Sequence, residues 1–302
     1  MMKLNLAPKI FKQVVASKML SVLGISLIYA LCYTAIKFGL AYSPPLIFGG
    51  MRAFYGGLAL LGLLLALRQP FFPDRQEWGA IVLVGLVSTT LNFAAMFLSP
   101  GFTGAGIASV LGNLQPLAAL LLAAIFLGEP LTIPKITALV LGMAGVILIA
   151  YPAFSGPSGY GIDGGLLALS ASASSALGSV LVKNLIRKAN LLTVAAWQLI
   201  LGSLPLLIIS SFIEPVHSVV WTSSFIGDLL FLALVGTAMV TAVWYWLLQK
   251  EEVGHLSLFL FLTPLFGLGM AALVFDERLG LFESVGVILI LAGIGVVARK
   301  TV

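Results

Sequence analysis

Charge is scarce in this chain. Of its 302 residues only 9% are Asp, Glu, Lys or Arg, while 60% are hydrophobic and the mean hydropathy is +1.13. A soluble domain carries about a quarter charged residues. With so few, the chain could not present a polar surface to water, and the bilayer is its expected solvent. Cysteine is nearly absent: Cys32 stands alone inside the first apolar run, which excludes a disulfide framework and a thiolate metal site. His217 and His255 are the only histidines, and neither sits at ligand spacing from a carboxylate on one helix face. Glu251, Glu252 and His255 read as a loop-end charge cluster. No metal and no other cofactor is expected. A G-x-x-x-x-G-K-S/T loop, an H-E-x-x-H pair and a nucleophile elbow are all missing, so the chain is not expected to be an enzyme. The net charge of +5 collects at the ends of apolar runs. No basic stripe could follow a phosphate backbone, so the expected partners are membrane lipid and a small solute, with no nucleic acid.

What the chain has in abundance is long apolar runs. Runs of about 20 residues, the length that crosses a bilayer, occupy 19–38, 44–67, 78–98, 103–127, 133–151, 162–183, 191–213, 224–248, 254–275 and 280–298. The first follows Lys3, Lys9, Lys12 and Lys18 but is too long for a signal-peptide core, so it is expected to remain as a membrane helix. Lys and Arg alternate from loop to loop: Arg68, Arg75, Lys135, Lys183, Arg187, Lys188, Lys250, Arg299 and Lys300 share the face of the N-terminal lysines. The opposite loops hold only Arg278, with Lys37 close to that face. This asymmetry puts both termini in the cytoplasm.

The chain also repeats itself. Shifted by about 148 residues, Gly106, Ser109, Leu114, Pro116, Leu117, Leu120, Ala123, Ala124, Glu129, Leu131, Leu141, Ala144 and Gly145 meet identical residues, from Gly254 and Ser257 through Pro264 and Glu277 to Gly293. Gly79, Leu86 and Thr89 meet Gly227, Leu234 and Thr237 in the same register, and at a shift of about 146 Lys37 meets Lys183 and Gly56 meets Gly202. Five spans is an odd number, so the second copy must insert upside down. The expected fold is an all-α membrane protein of about ten transmembrane helices built as two inverted five-helix repeats. The expected divisions are a cytoplasmic segment 1–18, a first repeat 19–151, a linker 152–161 and a second repeat 162–299. Two fused halves need no obligate dimer, so a monomer is expected.

The two stretches 109–150 and 257–299 each combine a small-residue helix with a central proline, a Glu at the hairpin tip and a Gly-rich closing helix. This resembles the paired EamA-type repeat of the drug/metabolite transporter superfamily, and among its members the bacterial aromatic amino-acid exporters. One departure is the second tip, Asp276-Glu277-Arg278, where Gly-Glu is commoner. The resemblance implies a secondary transporter of the inner (plasma) membrane that exports small metabolites, amino acids above all.

Several residues are candidates for a solute path. Pro116 and Pro264 stand mid-span in the fourth and ninth runs, where a missing N–H kinks a helix and makes a hinge. Asn92 and Asn113 are amides in hydrocarbon and must face the protein interior. Tyr33 in the first run and Ser175 and Ser179 in the sixth share helical faces with other hydroxyls. Thr241 and Trp244 continue the stripe begun by Thr237. Arg52 is the one clear intramembrane charge, able to attract a substrate carboxylate, and Gln198 takes its place in the second half. Cavity lining is weighed for all of these against interhelical packing. Every carboxylate lies at a span end or in a loop, which points to facilitated diffusion by alternating access around a midplane cavity. The alternatives are a proton-coupled multidrug exporter and, more distantly, an intramembrane enzyme or sensor.

Overall fold

The computed structural model describes residues 18–102, 113–154, 162–185, 189–275 and 280–298. The first 17 residues, residues 103–112 of the fourth expected span, residues 186–188, residues 276–279 and most of the expected linker lie outside this range. The described residues form ten helical rods. In the first half these are α1 (Lys18–Gly39), α2 (Pro45–Ala66), α3 (Trp78–Gly85, Leu86–Leu91 and Asn92–Phe102), α4 (Gln115–Leu127) and α5 (Ile133–Phe154). In the second half α6 (Ile162–Leu185), α7 (Leu191–Ile213), α8 (Ser223–Leu230, Phe231–Met239 and Val240–Leu248), α9 (Val253–Leu258, Phe259–Phe261 and Leu262–Phe275) and α10 (Leu281–Ala298) repeat them. Eight are long and apolar enough to cross a bilayer; α4 and α9 contribute the shorter apolar helices Gln115–Leu127 and Val253–Gly269. The chain is therefore a multi-pass membrane protein. The ends are called here the N-terminal face, where α1 begins, and the far face.

Local chemistry sets the helix ends. Gly128 takes the left-handed φ of 68° that stops α4. The Asn190 side chain accepts from Leu192 N and Thr193 N to start α7, and Thr222 Oγ1 accepts from Phe225 N to start α8. The α2 N-terminus is capped from the other half, because the Glu214 carboxylate accepts from Leu46 N at 2.8 Å and Ile47 N at 2.9 Å.

Two interruptions are repeated along with the sequence. The middle of α3, Leu86–Leu91, and of α8, Phe231–Met239, are wound as π-helix, a form that widens the helix and is often found at functional positions. At each proline a helical segment begins. Pro116 is the second residue of α4 after a turn at Asn113–Leu114, and Pro264 is the third residue of Leu262–Phe275 after a 3₁₀ turn at Phe259–Phe261. Each proline thus starts a helical segment, where its missing N–H costs nothing.

Small residues set the packing of the halves. In the α5–α10 crossing a Cβ on Gly145 would stand 2.6 Å from Gly286 O, and one on Gly293 would stand 3.0 Å from Ala138 O. These two contacts exchange under the repeat. In the α2–α7 crossing, Gly57 lies against Ile200 and the Ala196 carbonyl. Lipid tails are as apolar as leucine, so such close backbone approach, with its dispersion and short polar contacts, is what holds helices together here.

Candidate functional site

The two π-helical segments meet the two central helices α2 and α7, and they do so twice in equivalent ways. On one side Arg52 of α2 donates from Nε to Thr237 Oγ1 at 2.8 Å and from Nη2 to Gly236 O at 3.1 Å. On the other, Thr89 of α3 donates from Oγ1 to Gln198 Oε1 of α7 at 2.8 Å, and Thr90 donates to Gly202 O at 2.6 Å. Gly56 seats Thr237, and Gly202 seats Thr89. All four side chains are buried, Arg52 at 3%, Gln198 at 2%, Thr89 at 1% and Thr237 at 2% exposure. Every one of these bonds joins one repeat to the other.

Further along α8, seven residues or about 10 Å from Thr237, the Trp244 indole N–H donates to Ser179 Oγ of α6 at 3.1 Å. Ser179 Oγ in turn donates to Ser175 O. The structure thus brings Ser175, Ser179 and Trp244 together in the interior, with half-buried Thr241 on α8 between them and Thr237. Asn92 is half-buried and its amide turns back to Ser88 O of its own helix at 3.3 Å. Asn113 is half-buried at the turn before Pro116. The Tyr33 side chain lies outside the described residues.

At the N-terminal face the halves are tied by charge. The Glu129 carboxylate, at the α4–α5 tip, accepts from Val253 N at 2.7 Å and Gly254 N at 2.9 Å, the first amides of α9. Lys183 Nζ stands 3.8 Å from Glu129 Oε1 and also donates to Glu251 O. Lys135 pairs with Glu252 and donates to Pro130 O at 3.0 Å. Beside these groups a cavity of about 340 Å³ is lined by Thr132, Lys250 and His255. Around this face Phe72 stacks on Trp197, Trp78 meets Trp197 edge-on, and the Trp197 indole donates to Phe71 O at 2.8 Å, an aromatic cluster of the kind found at membrane interfaces.

Sequence position places the carboxylates at span ends, and there the fold buries one, Glu129, and half-buries another, Asp228. Glu129 is 9% exposed, and Asp228, one and a half turns into α8, has its Oδ2 buried without a hydrogen-bond partner. Repetition of the hairpin-tip Glu was the signal that could have found Glu129. Nothing in the sequence singles out Asp228.

The comparisons with known proteins agree with this architecture. Residues 16–151 and 163–299 each match the family described as the EamA-like transporter family. The uncharacterized transporter YvbV of Bacillus subtilis (strain 168) is 31% identical over 265 residues, which cover 88% of this chain and 86% of that protein. A protein of Escherichia coli (strain K12) named a probable amino-acid metabolite efflux pump is 27% identical over 278 residues, 88% of this chain and 90% of its own length. A solved crystal structure superposes with a TM-score of 0.78 at 19% identity, over 93% of this chain and 97% of the other, a likeness of fold.

Proposed function

Because this chain belongs to the EamA-like transporter family, we propose that it carries small metabolites, neutral or aromatic amino acids first among them, out of the cell across the plasma membrane. It is a membrane transporter by family; the solute and the direction are the reading offered here. The observation that carries it is the pair of equivalent cross-repeat contacts, Arg52 with Thr237 and Gln198 with Thr89. Two similar halves meeting through π-helical segments and glycines have two related ways to pack, which is what alternating access requires. The interior between them, with Trp244, Ser179 and Thr241, is apolar with a few hydroxyls and suits a small amphipathic solute. The name of the Escherichia coli relative points to the same solute class.

In this conformation the Glu129 tie holds the repeats together at the N-terminal face. Opening that face requires Glu129 to leave the Val253 and Gly254 amides, while Pro116 and Pro264, each near the start of a helical segment, serve as hinges. The charge asymmetry of the loops supports a cytoplasmic position for this face.

Uptake of a panel of labelled amino acids into proteoliposomes tests the proposal. Saturable flux of at least one neutral or aromatic amino acid is expected, falling about tenfold or more in Trp244→Ala, which loses both the ring and the bond to Ser179. Failure of the purified protein to move any amino acid, alongside gradient-driven efflux of a cationic dye, would refute it in favour of multidrug export.

A further inference from the structure

Most cross-helix contacts in this chain occur twice, but one set at the N-terminal face occurs once. Near the end of α6, Ser179 Oγ accepts from the Trp244 indole of α8 at 3.1 Å. One turn further along the same face of α6, Lys183 donates to Glu251 O just past the end of α8 and stands 3.8 Å from Glu129 Oε1. A helix leaves unpaired carbonyls at its C-terminal end, where an ammonium is favoured. The Lys183 side chain is only 15% exposed, so it pins α6 onto α8 beside the Glu129 tie. Shifted by 146 residues, Ser179 and Lys183 fall on Tyr33 and Lys37 of α1, and shifted by 148, Trp244 falls on Met96 of α3. The ingredients recur, an aromatic ring and a lysine one turn beyond it, with the ring moved from α8 to α1. Inversion puts this second set toward the far face. There Lys37 is exposed, and among the described residues no hydrogen bond or ion pair holds it. Its side of the membrane is the one whose loops otherwise hold only Arg278, so a lysine is kept where loop charge is avoided.

We propose that Lys183 and Lys37 are alternating latches of the transport cycle. Lys183 docks on the carbonyl end of α8 when the N-terminal face is closed, the conformation seen here. Lys37 docks on the carbonyl end of α3 when the far face closes instead, and each lysine is released as the other engages. This rests on the transporter reading above and adds which contacts exchange. In an inverted-repeat protein a contact present in both repeats, such as Gly145 on Gly286 O and Gly293 on Ala138 O, can persist through the cycle. A contact made by one repeat and not by the other is what has to change places, because the opposite conformation is the same pair of halves with their shapes exchanged. The equivalent register also supplies the reach: Lys183 spans from α6 to the end of α8, and Lys37 stands at the matching position of α1 relative to α3.

Thiol labelling of the purified full-length chain in detergent tests this without any substrate. Cys32, the only cysteine, is replaced by serine, and Ser257→Cys places a reporter in the first segment of α9, fully buried just beyond the Glu129 tie. A maleimide reaches it only when the N-terminal face opens, so the labelling rate follows the open population. Lys183→Gln removes the latch of the closed state and raises the rate about fivefold. Lys37→Gln removes a group that bonds to nothing described here, yet it lowers the rate about fivefold, because it weakens only the open state. The two substitutions together bring the rate back toward its starting value. A Lys37→Gln protein that labels at an unchanged rate overturns the proposal, since a merely solvated lysine would give that result. A Lys183→Gln protein that labels no faster overturns it as well. Lys37 is exposed, so its substitution leaves the packing intact, and should Lys183→Gln fail to fold, Lys37→Gln decides alone. Amino-acid flux without these opposed shifts leaves the transport reading standing and removes the latches; opposed shifts without amino-acid flux keep the latches and remove the solute.

Discussion

Arg52 with Thr237 and Gln198 with Thr89 occupy equivalent places in the two repeats, yet one pair is charged and the other neutral. The scaffold around them is conserved between the halves: a glycine on the central helix, Gly56 or Gly202, seats a threonine of a π-helical segment in each case. The cap at the start of each central helix diverges in the same sense. Glu214 reaches across to Leu46 N and Ile47 N of α2, whereas α7 starts on its own Asn190 through the equivalent Leu192 N and Thr193 N. The shared features are those that set backbone distance, and the divergent ones are those that place charge. Packing has to be done twice in an inverted-repeat protein, but a ligand needs its charge recognised once.

Breaking the shared scaffold should have the largest effect. A Cβ on Gly202 would overlap the Gly85 carbonyl, a backbone atom that cannot swing away. Gly202→Leu is therefore expected to cost more than about 3 kcal/mol by overpacking, leaving little monodisperse protein on size-exclusion chromatography. Gly56→Leu, facing the Ala233 carbonyl at 3.0 Å, should behave in the same way. If one is tolerated and the other is not, the halves do not carry the packing equally.

The charge itself comes next. Arg52→Gln makes the two halves alike at this position. Amino-acid flux in proteoliposomes should fall about tenfold or more, the loss of one charge-assisted contact to a substrate carboxylate, with Tm little changed because an isolated buried charge is removed along with its bonds. The caps rank third. Glu214→Ala removes two bonds to a carboxylate and is expected to cost about 2 kcal/mol, against about 1 kcal/mol for Asn190→Ala, which removes a neutral cap. Denaturation of the two purified variants side by side measures the difference, and equal costs would show that reaching between repeats adds nothing.

The ten-helix frame and its inversion were legible because hydropathy and loop charge are read from composition alone, and because Pro116 and Pro264 or Thr89 and Thr237 recur at a fixed shift. Even the serine-rich sixth run forms α6. Depth and rotation were not legible. Hydropathy says that a span exists without saying which neighbour meets a given face, so the approach of span-end Asp228 to the α1 end at Gly39 was not legible. Glu129 and the start of α9 are separated by 124 residues in the chain, too far for any local pattern to join them. The π-helical turns leave no residue signature in Leu86–Leu91 or Phe231–Met239; what they share is a glycine of the other repeat packed against them, Gly202 or Gly56. Ser179 and Trp244 were each legible as members of a stripe, but their mutual bond was not.

The smallest effect is expected at the neutral counterpart. Gln198→Leu removes the acceptor of the Thr89 hydroxyl, but a helical threonine can donate instead to a carbonyl one turn back, here that of Gly85. The substitution also removes a buried amide from an apolar interior, and an apolar group of similar volume fills the space. Stability should change by less than about 1 kcal/mol and amino-acid flux by less than about threefold. The neutral pair would then be a packing contact inherited from the repeat, with the charged pair carrying the recognition. A Gln198→Leu protein that loses as much transport as Arg52→Gln would show instead that both pairs serve the transport cycle, as matched contacts made and broken when the halves rock.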